Sequence, residues 1–247
     1  MDNTNDPQIV LVMNEIDAIN FRKKGYEKPG CKVIAFDGEF KSELAERLGK
    51  QNLLVDKNVL VKDLYTSDLT YYPLDTASKN IHVEYFKRYA SVLSLLGVAK
   101  VYVSEVNTVN ESESTGGSVK GGAAGLGGKV SGKYTSDSSM QELMRLKQSC
   151  VPKVDLQAAK KLMERFSLQN DQDLNRVIAT VEAGTEHKSY DFFMVLSQKL
   201  QKVFDLAASI TPYAGINIKA DMARNKEITK TYTLHVIVEF GDPQENG

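Results

Sequence analysis

Apolar residues come in short runs along this chain, and the spacing within each run separates strands from helices. IVLVM is unbroken and predicts a buried strand over Ile9–Met13, after a polar lead (residues 1–8) that reads as disordered. FRKKGYEKPG (21–30) reads as a loop closed by Pro29-Gly30. Cys31–Phe36 predicts a second strand and Asp37-Gly38 a turn. A helix is expected over Phe40–Leu48, with Gly49 past its end. Leu53–Val55 and Val59–Leu64 flank Asp56-Lys57-Asn58, which suits a hairpin. Val83, Phe86, Ala90, Leu93 and Leu96 fall at helical spacing and predict a core helix from about Lys79 to Leu96, capped by Ser78 or Asn80 and stopped by Gly97.

Beyond Gly97 the period changes to two. Val98–Val106 predicts a strand, with Val101 and Val103 on one face and Tyr102 and Ser104 on the other. A capping-box pattern at Ser139-Met140-Gln141-Glu142 predicts a helix to about Ser149, ended by Pro152. Two short helices follow between Asp155 and Gly184, capped by Asp155 and Asp171. Phe192, Phe193, Leu196, Leu200, Val203, Phe204 and Ala207 then read as the stripe of one further helix after Ser189. Ile228, Tyr232, Leu234, Val236, Val238 and Phe240 share one face of a strand, which an antiparallel hairpin pairs with Ile216 and Ile218. These elements predict one α+β domain over 1–247, with an antiparallel or mixed twisted sheet, helices packed on one side and a long Gly-rich hairpin or linker at about 107–137.

Composition narrows the function classes more than it names one. The chain has 247 residues, 42% hydrophobic and 26% charged, and a formal net charge of −1, so no basic field argues for nucleic acid. Its two cysteines, Cys31 and Cys150, lack metal-ligand spacing; a reducing compartment is expected, with one bridge between them left open. The polar, acidic start does not read as a signal peptide, and no apolar run approaches the ~20 residues of a spanning helix. A cytoplasmic protein is expected, membrane-associated only after activation. His82, His187 and His235 are scattered, with His235 mid-strand on a polar face and read as solvent-exposed. No metal, cofactor or enzymatic activity is expected.

The candidate chemistry lies in GGSVKGGAAGLGGKVSGKYT, residues 116–135, which holds glycines 116, 117, 121, 122, 125, 127, 128 and 132 of the chain's 17. Gly127 to Lys133 matches a GxxxxGK phosphate loop, yet Tyr134 stands where the magnesium-binding Ser or Thr belongs. A flexible linker is the second reading; it divides the chain into 1–106 and about 138–247. The third is a hairpin held loosely in its first fold, because glycine weakens a strand. A turn near Gly121–Gly125 places Glu113 opposite Lys133. Leu126, Val130 and Tyr134 then share one face, to meet lipid, and Lys120, Lys129 and Lys133 are placed to meet acidic headgroups. Gly121, Gly122, Gly125, Gly127 and Gly128 supply the flexibility.

YFKRYASVLSLLGVAKVYVSEVNTV (85–109), the Gly/Ala-rich segment before SGKYTSDSS and the C-terminal GINIKAD and TYTLHVIVEF together resemble gasdermin-type pore formers. The resemblance implies a protomer that binds acidic membrane lipids, assembles into a homo-oligomeric β-barrel and answers to an inhibitory or activating protein partner. The first alternative is a non-catalytic interaction or scaffold module; a nucleotide-binding protein using the Gly-rich segment is the next.

Overall fold

The computed structural model describes residues 6–38, 42–110, 135–136, 148–149, 154–184, 188–196, 198–215 and 230–241. The architecture is α+β, built on two sheets. The first is mixed, in the order β2 (Cys31–Ala35), β1 (Ile9–Met13), β3 (Val59–Lys62), β4 (Tyr71–Pro73). β1 runs parallel to β2 and antiparallel to β3, and β3 is antiparallel to β4. Every residue of β1 is buried, as a strand covered on both faces requires. Ile9, Leu11 and Met13 share a core with α1 (Glu15–Lys23), the first half of α3 (Leu74–Ser94) and α6 (Gln198–Ile210). Val10 and Val12 face the opposite way, against α2 (Glu43–Lys50).

The second sheet is antiparallel, in the order β6 (Thr135–Ser136), β5 (Val98–Asn110), β9 (Lys230–Phe240), β8 (Ser189–Leu196), with β7 (Gln148–Ser149) also pairing β5. One face is apolar: valines 98, 101, 103 and 106 of β5, Phe192 and Met194 of β8, and Leu234, Val236 and Val238 of β9. They pack on the second half of α3, α4 (Leu156–Arg165) and α5 (Gln172–Glu182). The spacing of the valines is not two throughout. Register shifts between Val98 and Lys100 and between Val103 and Glu105 each insert one extra residue, which returns Val101 and Val106 to the buried face.

Several expectations are corrected. Residues 6–8 are not a disordered lead: Asp6 pairs with Lys62 at 3.0 Å, the Tyr71 hydroxyl donates to the Pro7 carbonyl at 2.7 Å, and Gln8 N–H donates to Gly30 O. The loop expected over 21–30 begins only after α1 ends at Lys23. The turn at Asp56–Asn58 is present, with Asn58 N–H donating to Val55 O, but 53–55 is no strand. β3 finds its partners in β1 and β4, and Leu53 and Leu54 pack beneath α2. α3 starts at Leu74, before both expected caps; Pro73, with an extended ψ of 139°, is its N-cap and makes no side-chain cap hydrogen bond.

The helix expected after Ser189 is two elements. Aromatic and β-branched residues alternate in β8, Phe192 and Met194 inward, Asp191 and Phe193 outward; helical spacing resumes only at Val203, Phe204, Ala207 and Ile210 of α6. The end of the helix expected over 139–149 is β7, because the open edge of β5 at Lys100 and Val101 offers Gln148 and Ser149 backbone partners. From Tyr232 to Glu239 both edges of β9 are taken, by β5 and β8; Ile216 and Ile218, expected as its hairpin partner, lie outside the described residues. β5 precedes the glycine stretch, β9 follows it, and the two pair in one sheet; the stretch read as a linker or hairpin lies outside the described residues. Asp155 and Asp171 cap α4 and α5 as expected.

Candidate functional site

The residues singled out in the glycine stretch, Lys120, Lys129, Lys133, Leu126, Val130, Tyr134 and the five named glycines, lie outside the described residues, as does Cys150. What the structure shows is how the chain leaves and re-enters the sheet around them. β5 runs to Asn110, and β6 returns antiparallel beside it, with Asn107 opposite Ser136 and Thr108 opposite Thr135. The segment between begins and ends on neighbouring strands of one sheet.

The same sheet carries a polar constellation on the face away from its core. It starts with the bulge in β5. Val103 faces Val236 and Glu105 faces His235, so Ser104 is the inserted residue. Its Oγ lies 2.7 Å from Nδ1 of His235, and 3.3 Å from that residue's carbonyl oxygen. The other ring nitrogen, Nε2, lies 3.0 Å from Oδ2 of Asp191 on β8. Asp191 faces Ile237 in the register, two residues along β9, so the contact is a diagonal one. Phe193 faces His235 directly and stacks on it, centroids 4.7 Å apart and planes at 17°. A carboxylate only accepts, so the ring proton belongs on Nε2 and the Nδ1 lone pair faces the serine hydroxyl. His235 is thus engaged on both nitrogens and one ring face, with its side chain 22% exposed, where the sequence suggested an open surface position. Beside the trio, Lys100 pairs with Glu239 at 2.9 Å, and Tyr102 donates to the same carboxylate at 3.4 Å.

Sequence reasoning placed Ser104 and His235 on outward faces but joined neither to Asp191. Reading β8 as helix hid both Asp191 and Phe193. The signal that was available is the valine spacing of three, from 103 to 106, which marks the bulge at Ser104.

Two buried titratable groups lie apart from this array. Cys31 is a buried free thiol, pushed up to about 12 by burial and by the charge of Glu27. Arg88, on α3, meets the fully buried Asp63 at 2.7 Å and lies over the Phe166 ring. Among the described residues no cluster of three or more His, Cys, Asp or Glu is arranged to hold a metal ion, and no helix is long and apolar enough to cross a membrane. No family model matches the chain, and no curated protein or solved structure matches it.

Proposed function

We propose that this protein perturbs membranes by extending the β5–β6 pair into an inserted hairpin after self-association. The antiparallel pairing of Asn107 with Ser136 and Thr108 with Thr135 carries the reading. A chain that leaves on one strand and returns on its neighbour can lengthen both arms without exchanging partners, and a membrane barrel needs its backbone groups paired in this way. β5 already has 13 residues, against the ~9–11 a tilted barrel strand needs, and β6, with two, is the arm that has to lengthen. In this reading the protein resides in the cytoplasm and moves to an acidic membrane, where Lys120, Lys129 and Lys133 gain ~1 kcal/mol each near the headgroups. Leu126, Val130 and Tyr134 then face lipid.

The test is dye release from vesicles containing phosphatidylserine, compared with purely zwitterionic vesicles. Release is expected only from the acidic vesicles, and a Lys120→Glu, Lys129→Glu, Lys133→Glu variant is expected to lose it. Intact vesicles at every protein concentration, together with a monomer by sedimentation, would remove the proposal and leave an interaction module in its place.

A further inference from the structure

The insertion reading assigns no role to the Ser104–His235–Asp191 array, whose chemistry is specific. We infer that Ser104 is a nucleophile that accepts an acyl or phosphoryl group from an activated ester, with His235 as its general base and Asp191 as the residue that positions the base. A serine hydroxyl is a weak nucleophile until a base within hydrogen-bond reach takes its proton, and the base works only in the right tautomer. Both conditions are met on this sheet. The base lies 2.7 Å from the hydroxyl. Its far nitrogen is held by a carboxylate at 3.0 Å.

The backbone explains how three strands deliver the array. The bulge re-aims Ser104 out of the regular ladder toward His235. The Phe193 ring, stacked at 4.7 Å, fixes the plane of the imidazole. Phe193 is 61% exposed, so it also presents an apolar surface beside the nucleophile. Ser104 is half-buried and Asp191 exposed, which leaves the array on the outer side of the sheet. The trio supplies nucleophile and base, while the electrophile brings its own activation. The substrate class is therefore an ester with a good leaving group and an apolar or aromatic acyl part to lie against Phe193. In the step itself the Ser104 Oγ attacks the carbonyl carbon or phosphorus, its proton passes to Nδ1, and the bond to the leaving group breaks with the electron pair on that group. The imidazolium then returns its proton to the leaving group or to water.

A fluorophosphonate probe tests this on the full chain: the Oγ–P bond forms, the P–F bond breaks and fluoride departs. One adduct per chain is expected by intact mass, mapped to Ser104, and Ser104→Ala is expected to abolish it. His235→Gln is expected to slow labelling about a hundredfold, the range of general base catalysis. Asp191→Asn holds the ring in the wrong tautomer and is expected to slow it at least about tenfold, while Asp191→Glu restores most of the rate. Unfolding midpoints in urea, measured on each variant, separate a lost base from a lost fold. An unlabelled wild-type chain, an adduct on another residue, or a folded His235→Gln variant that labels at the wild-type rate would each overturn the inference.

Discussion

His82 shows how much one buried ionisable side chain decides. It sits on α3 with 1% of its surface exposed, and burial moves its pKa from 6.5 down to about 4. The folded state therefore holds this imidazole neutral through a range in which the unfolded chain protonates it. A lowered pKa contributes stability that is complete above the unfolded value and drains away as pH falls toward the folded one. At ~1.4 kcal/mol per pH unit the loss between pH 6.5 and 4 is about 3 kcal/mol. Urea titrations at a series of pH values are expected to show this decline in the wild type. His82→Gln, which does not titrate, is expected to lose that part of the slope; an unchanged slope would mean that other groups carry the acid sensitivity. The residue's role was open in the sequence, because a histidine at helical spacing has no mark that separates a core position from a surface one. His235 was misplaced for a related reason: its polar neighbours on β9 pointed to solvent, and its partners come from two other strands, Ser104 from β5 and Asp191 and Phe193 from β8.

At the scale of elements, the helices of the second layer depend on two caps that look alike in sequence and differ in cost. Asp155 accepts from Ala158 N–H at 2.9 Å and does one job. Asp171 accepts from Leu174 N–H at 2.9 Å and also from the hydroxyl of Tyr89, at 3.1 Å, on a side chain 1% exposed. Asp155→Ala is expected to cost about 1 kcal/mol, the usual worth of an N-cap. Asp171→Ala adds a buried hydroxyl without its acceptor, another ~1–3 kcal/mol. Asp171→Asn keeps an acceptor oxygen and is expected to fall between the wild type and the alanine variant. Equal costs for Asp155→Ala and Asp171→Ala, by chemical denaturation, would show that the Tyr89 contact contributes nothing. Both caps were legible because an aspartate before an apolar-periodic run states its own local chemistry. β8 was not, since Phe192-Phe193 and Val195-Leu196 satisfy a helical stripe as readily as a strand, and what decides is the vacant edge of β9. The α3–β5 junction was legible at Gly97, whose φ of +84° favours glycine; a Cβ there would also meet Val154 Cγ2 at 3.1 Å.

At the scale of the molecule, α3 joins what the strand pairing separates. Its 21 residues span about 31 Å. Ala77 and Ile81 belong to the core of the mixed sheet, while Phe86, Tyr89, Ala90 and Leu93 belong to that of the antiparallel sheet. Chain order reinforces the bond: α6, which follows β8, returns to the first core before β9 completes the second sheet. A further seam runs from the segment after β3 to the end of α4. Ser67 N–H and Oγ both donate to Arg165 O at 3.1 Å, Arg165 pairs with Asp68 at 2.9 Å, and Arg88 and Arg165 both lie over Phe166. Two cores linked by one helix and by an interleaved chain are expected to unfold together. Ile81→Ala and Leu93→Ala, each removing a fully buried side chain, are expected to move the same urea transition to lower denaturant, each at a stability cost of about 2–5 kcal/mol. Circular dichroism and tyrosine fluorescence are expected to trace coincident curves for both variants. A two-step curve in which Ile81→Ala moves one step and Leu93→Ala the other would mean that the sheets are separate units. The outcome bears on the proposed insertion too. A frame that unfolds only as a whole can hold still while β5 and β6 lengthen at one edge, whereas two loosely coupled units would let the strain of extension escape into the joint between them.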